Sequence, residues 1–301
     1  MSEEFDDSEG WDEFTYTASD GLRLAGRKYG WHNDGPAPVV CLAGLTRNSS
    51  DFHGLAMYLA YKAETCRQVL CLDYRGRGMS ERDSDWQNYN IWIEAEDTIN
   101  GMIAAGLESA SIIGTSRGGL IIHLLAAMRP SLMRCVILND IGPEIDGRGL
   151  VRIKQYLENA ADPQSWQGAI DFVSTGGKSQ FPEYNQEDWA RQARMIFEEK
   201  NGNIVTKFDK KLANGLANID LDNPLPSLWP QFKGLTGHPL LLIYGENSDL
   251  ITSETISKMK ELHPRMAKIE VSKQGHAPDL ASENLPVKIA EFLETHEHAV
   301  A

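Results

Sequence analysis

Five apolar runs, at residues 39–43, 69–73, 110–113, 134–138 and 239–244, recur along the chain with helix-like segments between them. A strand with one wet face alternates polar and apolar residues, and these runs do not alternate, so both of their faces must be buried. Buried parallel strands need crossover connections, and the crossover helices cover the sheet above and below. The expected class is therefore α/β, with a mostly parallel central sheet and helices on both faces. Helices are expected over 50–62, 91–105, 117–128 and 254–262, a further strand at 267–271, and a last helix in which Ile289, Phe292 and Leu293 share one face. Near the start, Ser19-Asp20-Gly21 separates two strand-like stretches and reads as a β-hairpin.

The alternation lapses between residues 144 and 230. That stretch holds helix-like segments, the landmarks Tyr156, Trp166, Trp189 and Trp229, and no convincing buried strand. An insertion into one α/β core explains it, and 301 residues are enough for both. The expected organisation is an acidic flexible tail at 1–12, a core formed by 13–143 and 231–301, and a helical cap at 144–230.

Composition narrows the function. A hydrophobic content of 42% with 24% charged residues is ordinary for a soluble domain. No apolar stretch is long enough to span a bilayer, since even 120–127 ends at Arg129-Pro130, so no membrane partner is expected. A net charge of -14 disfavours nucleic acid, which needs a basic face. The acidic start, without a basic and apolar leader, makes a cytoplasmic location the expectation. Cys41, Cys71 and Cys135 lie inside apolar runs, as free thiols do, and no structural disulfide is expected. His296 and His298 lack further ligands at metal-binding spacing, and no zinc motif or dinucleotide fingerprint occurs, so neither metal nor cofactor is expected.

The chemistry is carried by Gly114-Thr115-Ser116-Arg117-Gly118-Gly119, which follows the apolar run 110–113 and precedes an apolar helix. A serine hydroxyl is a weak nucleophile unless a base reaches it, so it must stand on a sharp strand-to-helix turn, where small neighbours permit the close approach of strand and helix. Ser116 is the expected nucleophile. The base and its orienting acid should come from loops at the carboxyl ends of later strands. His276, after the last strand, is the expected base. Asp249, after the run 239–244, is the preferred acid, and Asp140, at the end of the strand before the insertion, is the alternative. A developing oxyanion needs backbone donors, expected from Arg117 N–H and from Leu45 N–H in Gly44-Leu45-Thr46.

With these residues in place the chain resembles the α/β-hydrolase superfamily over nearly its whole length. Asp73-Tyr74-Arg75-Gly76-Arg77-Gly78-Met79-Ser80 is similar to a segment of the branch holding meta-cleavage-product hydrolases, enol-lactonases, proline iminopeptidases and related esterases. That resemblance implies an α/β-hydrolase fold with a helical cap and a cofactor-independent serine hydrolase with a Ser-His-Asp triad. Two departures stand out. Ala43-Gly44 replaces the His-Gly of many members, and Arg117 replaces a common Met or Gln. Arg47 and Arg117 are both expected near the site, where either side chain could bind a substrate carboxylate. The expected substrate is a small carboxylic ester or lactone; the alternatives are C–C hydrolysis of a keto acid, or a hydrolase-fold protein that binds a ligand with little turnover.

Overall fold

Neighbouring residues of each apolar run turn to opposite faces of one sheet. The computed structural model describes residues 7, 9–159, 162–217 and 226–296. Its strands are Asp12–Thr17 (β1), Arg23–Tyr29 (β2), Val39–Leu42 (β3), Val69–Asp73 (β4), Ala110–Thr115 (β5), Met133–Asn139 (β6), Phe197–Lys200 (β7), Asn203–Thr206 (β8), Leu240–Gly245 (β9) and Ala267–Val271 (β10). All except β7 and β8 join in one eight-stranded sheet ordered β1-β2-β4-β3-β5-β6-β9-β10. From β4 to β10 the neighbours in that order are parallel, while β2 pairs antiparallel with β4 and with β1 at the edge.

The helices are His53–Tyr61 (α1), Ile91–Ala104 (α2), Arg117–Met128 (α3), Gly147–Glu158 (α4), Trp166–Gly177 (α5), Gln186–Ile196 (α6), Leu212–Ala217 (α7), Trp229–Leu235 (α8), Ser253–Leu262 (α9) and Leu285–His296 (α10). In β3, Val39 and Cys41 pack towards α1 and α10, whereas Val40 and Leu42 join the cluster that contains α2, α3, α8 and α9. Strands β4 and β9 divide in the same way. The central strands thus bury both faces, as expected of a parallel sheet.

Between β6 and α8 the chain leaves the sheet. Helices α4 to α7 and the hairpin of β7 and β8 build a third apolar cluster, with Leu157, Val173, Trp189, Phe197 and Phe208 buried and Tyr89 reaching in from the core. Asn185 starts α6 with a reciprocal capping box to Asp188. The hairpin adds two short strands to the helical cap expected over 144–230. Its loop is Asn201-Gly202, both with positive φ, flanked by the pair Lys200 and Asn203. Asn-Gly is the strongest short hairpin signal because both loop positions need the left-handed region. The strands are only four residues each and mostly exposed, so no apolar run marks them.

Two expected boundaries also shift. Leu228 and Trp229 already pack against the main core in which Phe232 and Leu235 of α8 are fully buried, so the core resumes a few residues before 231. Of the expected tail, residues 1–6 and 8 lie outside the described residues. Asp7 pairs with Arg27 at 2.9 Å, and Trp11 lies 4.2 Å beneath the Arg27 guanidinium, so this part of the segment is tied to β2. Among the described residues no helix is long and apolar enough to cross a membrane.

Candidate active site

Strand β5 and helix α3 meet at Ser116, whose backbone has φ 52° and ψ -113°. This left-handed region is costly for a serine and persists only where the surroundings impose it. The glycines supply the room. A Cβ on Gly118 would lie 2.1 Å from the Leu42 carbonyl oxygen, and one on Gly114 would lie 2.5 Å from the Gly118 backbone. Helix α3 is therefore packed directly on the sheet, and Ser116 is left at its tip. Its N–H donates to the Asn139 carbonyl at 3.0 Å.

His276 reaches this serine from the loop after β10. Its Nε2 lies 2.8 Å from Ser116 Oγ, and its Nδ1 lies 2.7 Å from Oδ2 of Asp140. A proton on Nδ1 donates to the carboxylate and leaves Nε2 free to accept from the serine hydroxyl. The Asp140 side chain is fully buried, and it is held on both oxygens. Gly245 N–H donates to Oδ1 at 2.9 Å, and Ser248 Oγ donates to Oδ2 at 2.6 Å.

Asp249, the preferred acid of the sequence reading, does not touch His276 among the described contacts. Its carboxylate is gripped by the Arg152 fork of α4, at 2.7 and 2.8 Å. Burial alone would raise the Asp249 carboxyl, but Arg152 and the nearby His276 outweigh it and hold it below the usual range. The reason for the exchange is local: the hydroxyl that follows β9 on Ser248 turns inward to Asp140, so the next side chain turns outward to α4. The alternative, Asp140, is the residue in contact.

The two expected oxyanion donors lie at the same place. Leu45 lines the cavity with Ser116, and a Cβ on the preceding Gly44 would come within 3.9 Å of the Ser116 Cβ. Arg117 is the first residue of α3, where an N–H has no carbonyl one turn earlier to bond.

The arginine side chains behave differently from each other. That of Arg117 turns away from the cavity, with Nε on Glu94 at 2.5 Å and Nη2 on the Tyr89 carbonyl at 3.1 Å. This corrects its expected role as a carboxylate binder, because its charge is already spent on a buried carboxylate. Burial would raise Glu94, yet Arg117 and Arg77 together hold it below the ordinary glutamate value. Arg47 does line the cavity. It is paired with Asp51 at 2.6 Å and donates to Gln192 at 3.0 Å.

The cavity over Ser116 has a volume of about 230 Å³ and is roofed by α4, α5 and α6. Two polar atoms in it have no protein partner, Oδ1 of Asp51 and the hydroxyl of Tyr184, and the Tyr156 hydroxyl lies beside Thr46. Burial pushes the Tyr156 phenol up to about 12, with Arg47 opposing, and raises the Asp51 carboxyl. Gln180, which follows α5, accepts from His276 N–H through Oε1 at 2.7 Å and so holds the histidine loop. Sequence reasoning missed Gln180 and Ser248, since a lone Gln or Ser in a loop carries no pattern. Among the described residues no group of three His, Cys, Asp or Glu could hold a metal, and His296 caps back onto the Phe292 carbonyl at 2.9 Å. His298 lies outside the described residues.

Comparison with known proteins agrees with this architecture. The model of a family described as alpha/beta hydrolase fold matches residues 37–278. The 3-hydroxybutyrate-oligomer hydrolase of Cupriavidus necator is 28% identical over 267 residues, covering 85% of this chain and 86% of that protein. The 2-(acetamidomethylene)succinate hydrolase of Mesorhizobium japonicum is 24% identical, covering 83% and 86%. The crystal structure of an alpha/beta hydrolase from Novosphingobium aromaticivorans superposes with a TM-score of 0.85 at 33% identity, covering 95% of this chain and 98% of that one.

Proposed function

The chain belongs to the α/β-hydrolase family and is a hydrolase, and from that premise we propose that it cleaves a small carboxylic ester through an acyl-enzyme on Ser116. The observation that carries this reading is the unbroken relay from Ser116 Oγ through His276 to Asp140, at 2.8 and 2.7 Å, opening on a cavity. In the proposed mechanism His276 Nε2 takes the serine proton as Oγ attacks the carbonyl carbon. Asp140 holds the imidazole by Nδ1 and balances the imidazolium. The N–H groups of Leu45 and Arg117 receive the oxyanion. His276 then protonates the departing alcohol and deprotonates a water, which releases the acid and restores the serine.

The cavity favours a short acyl part with a polar end. Asp51 Oδ1 and the Tyr184 hydroxyl offer that end unmatched hydrogen-bonding atoms, with Arg47 and Tyr156 beside them, and a site with unpaired polar groups rejects a substrate that cannot satisfy them. Two of the relatives are named for polar substrates, a 3-hydroxybutyrate oligomer and an acetamidomethylene succinate, which supports the same reading. Helices α4 to α7 serve in it as the cap that shapes the acyl site.

A fluorophosphonate probe tests the proposal directly. The folded protein should be labelled once, at Ser116, and Ser116→Ala should abolish both labelling and hydrolysis of p-nitrophenyl butyrate. A folded wild type that neither labels nor turns over any short ester would reduce the chain to a ligand-binding member of the family.

A further inference from the structure

Behind the two N–H groups assigned to the oxyanion runs one buried ionic chain. Arg77 Nε donates to the Leu45 carbonyl at 2.9 Å, and its Nη1 donates to the Arg75 carbonyl at 2.7 Å and to Glu94 Oε1 at 2.8 Å. The other oxygen of Glu94 accepts from Arg117 Nε at 2.5 Å. The Arg77 and Glu94 side chains are 0% exposed, and that of Arg117 only 14%. Both donor residues, far apart in sequence, are thereby attached to a single carboxylate.

We infer that Arg77 and Glu94 are positioning residues of the oxyanion hole. Arg77 fixes Leu45 by its carbonyl, and Glu94 ties Arg77 to Arg117, so both donors are anchored to one buried cluster. The inference rests on the serine-hydrolase reading above. Buried ion clusters of this kind gain little stability over packed apolar side chains, because desolvation consumes the Coulombic gain. Such a cluster does hold its members in place, and donors aimed at a developing charge must be preorganised. The same arrangement accounts for the arginine after the nucleophile: its backbone serves the oxyanion while its side chain anchors that backbone.

The prediction is a selective loss of transition-state binding. Arg77→Lys keeps the charge but loses the planar fork, and Arg117→Met keeps the N–H but loses the anchor. Each variant is compared with wild type for hydrolysis of p-nitrophenyl butyrate. Each is also tested for inhibition by a propyl trifluoromethyl ketone, whose adduct with Ser116 carries an oxyanion, and by the matching methyl ketone, which does not form one. Both variants should lose kcat and trifluoromethyl-ketone affinity by the same factor, about tenfold to a hundredfold, with KM and methyl-ketone affinity within about twofold.

The inference is overturned if a folded variant keeps kcat and trifluoromethyl-ketone affinity within about twofold of wild type. It is equally overturned if KM and both ketones suffer alike, the mark of a merely structural role. Should Arg77→Lys not fold, Arg117→Met decides by the same criteria. A wild type that is inactive and unlabelled at Ser116 removes the hydrolase reading and this inference with it. A wild type dependent on Ser116 beside unaffected variants removes the inference alone.

Discussion

Asp140 accepts from a backbone N–H, a serine hydroxyl and an imidazole, whereas Asp249 gives both oxygens to one arginine. In the proposed mechanism only Asp140 can select the imidazole tautomer. Asp140→Asn should therefore lower kcat by about 10⁴, while Asp249→Asn should cost less than about tenfold, both read from steady-state hydrolysis of p-nitrophenyl butyrate. The reverse order would return the acid's role to the loop after β9. Arg47 makes a second prediction at this scale. Its guanidinium lines the cavity, and if it meets the polar end of the acyl group, Arg47→Ala should lower kcat/KM for a half-ester of a diacid at least about tenfold more than for the matching neutral ester. Equal losses on the two esters would show that Arg47 only supports Asp51.

Helix α3 carries the main constraints at the level of elements. Gly118→Ala would drive a Cβ into the carbonyl of a central strand, and nothing in β3 can yield. It should destabilise the protein by about 3 kcal/mol in urea unfolding, against a near-neutral Gly147→Ala, where a Cβ meets nothing within 4 Å. The same helix buries His123, which bonds the Gly119 carbonyl at 2.6 Å and leaves Nε2 unpartnered beside Phe232. Burial pushes its pKa down to about 4 from the ordinary 6.5. With the folded value depressed, the unfolded chain binds more protons between the two values. The contribution of His123 is full above the unfolded pKa and is lost as pH falls towards the folded one. Wild type should lose about 2 kcal/mol more than His123→Leu between pH 7.5 and 5.0, measured by urea unfolding at each pH.

For the molecule as a whole, the sheet was legible because two-sided burial writes itself as unbroken apolar runs at 39–43, 69–73 and 239–244. Ser116 and His276 were legible because the first sits on a glycine-flanked strand-to-helix turn and the second in the loop after the last strand. The acid was not, since Asp140 and Asp249 both follow strands, and the inward turn of Ser248 that separates them has no sequence signature. The unit over the site was legible only as an interruption: its short hairpin and the direction of Arg117 depend on partners distant in sequence. The size of the roofed cavity gives a prediction at this scale. About 230 Å³ accommodates a short acyl chain, so kcat/KM for p-nitrophenyl esters should fall at least about tenfold from butanoyl to decanoyl. A flat profile would mean that the helices over the site do not bound the acyl group.

The position of Asp140 bears on how such proteins can be recombined. The chain leaves the sheet immediately afterwards, and α4 begins at Gly147, so the acid and the root of the overlying unit occupy one short stretch. Exchanging that unit with a relative's therefore has a defined seam. A graft joined after Gly142 carries the recipient's own relay intact, whereas one joined before Asp140 imports a foreign carboxylate together with the new roof, and specificity and proton transfer would change in a single cut.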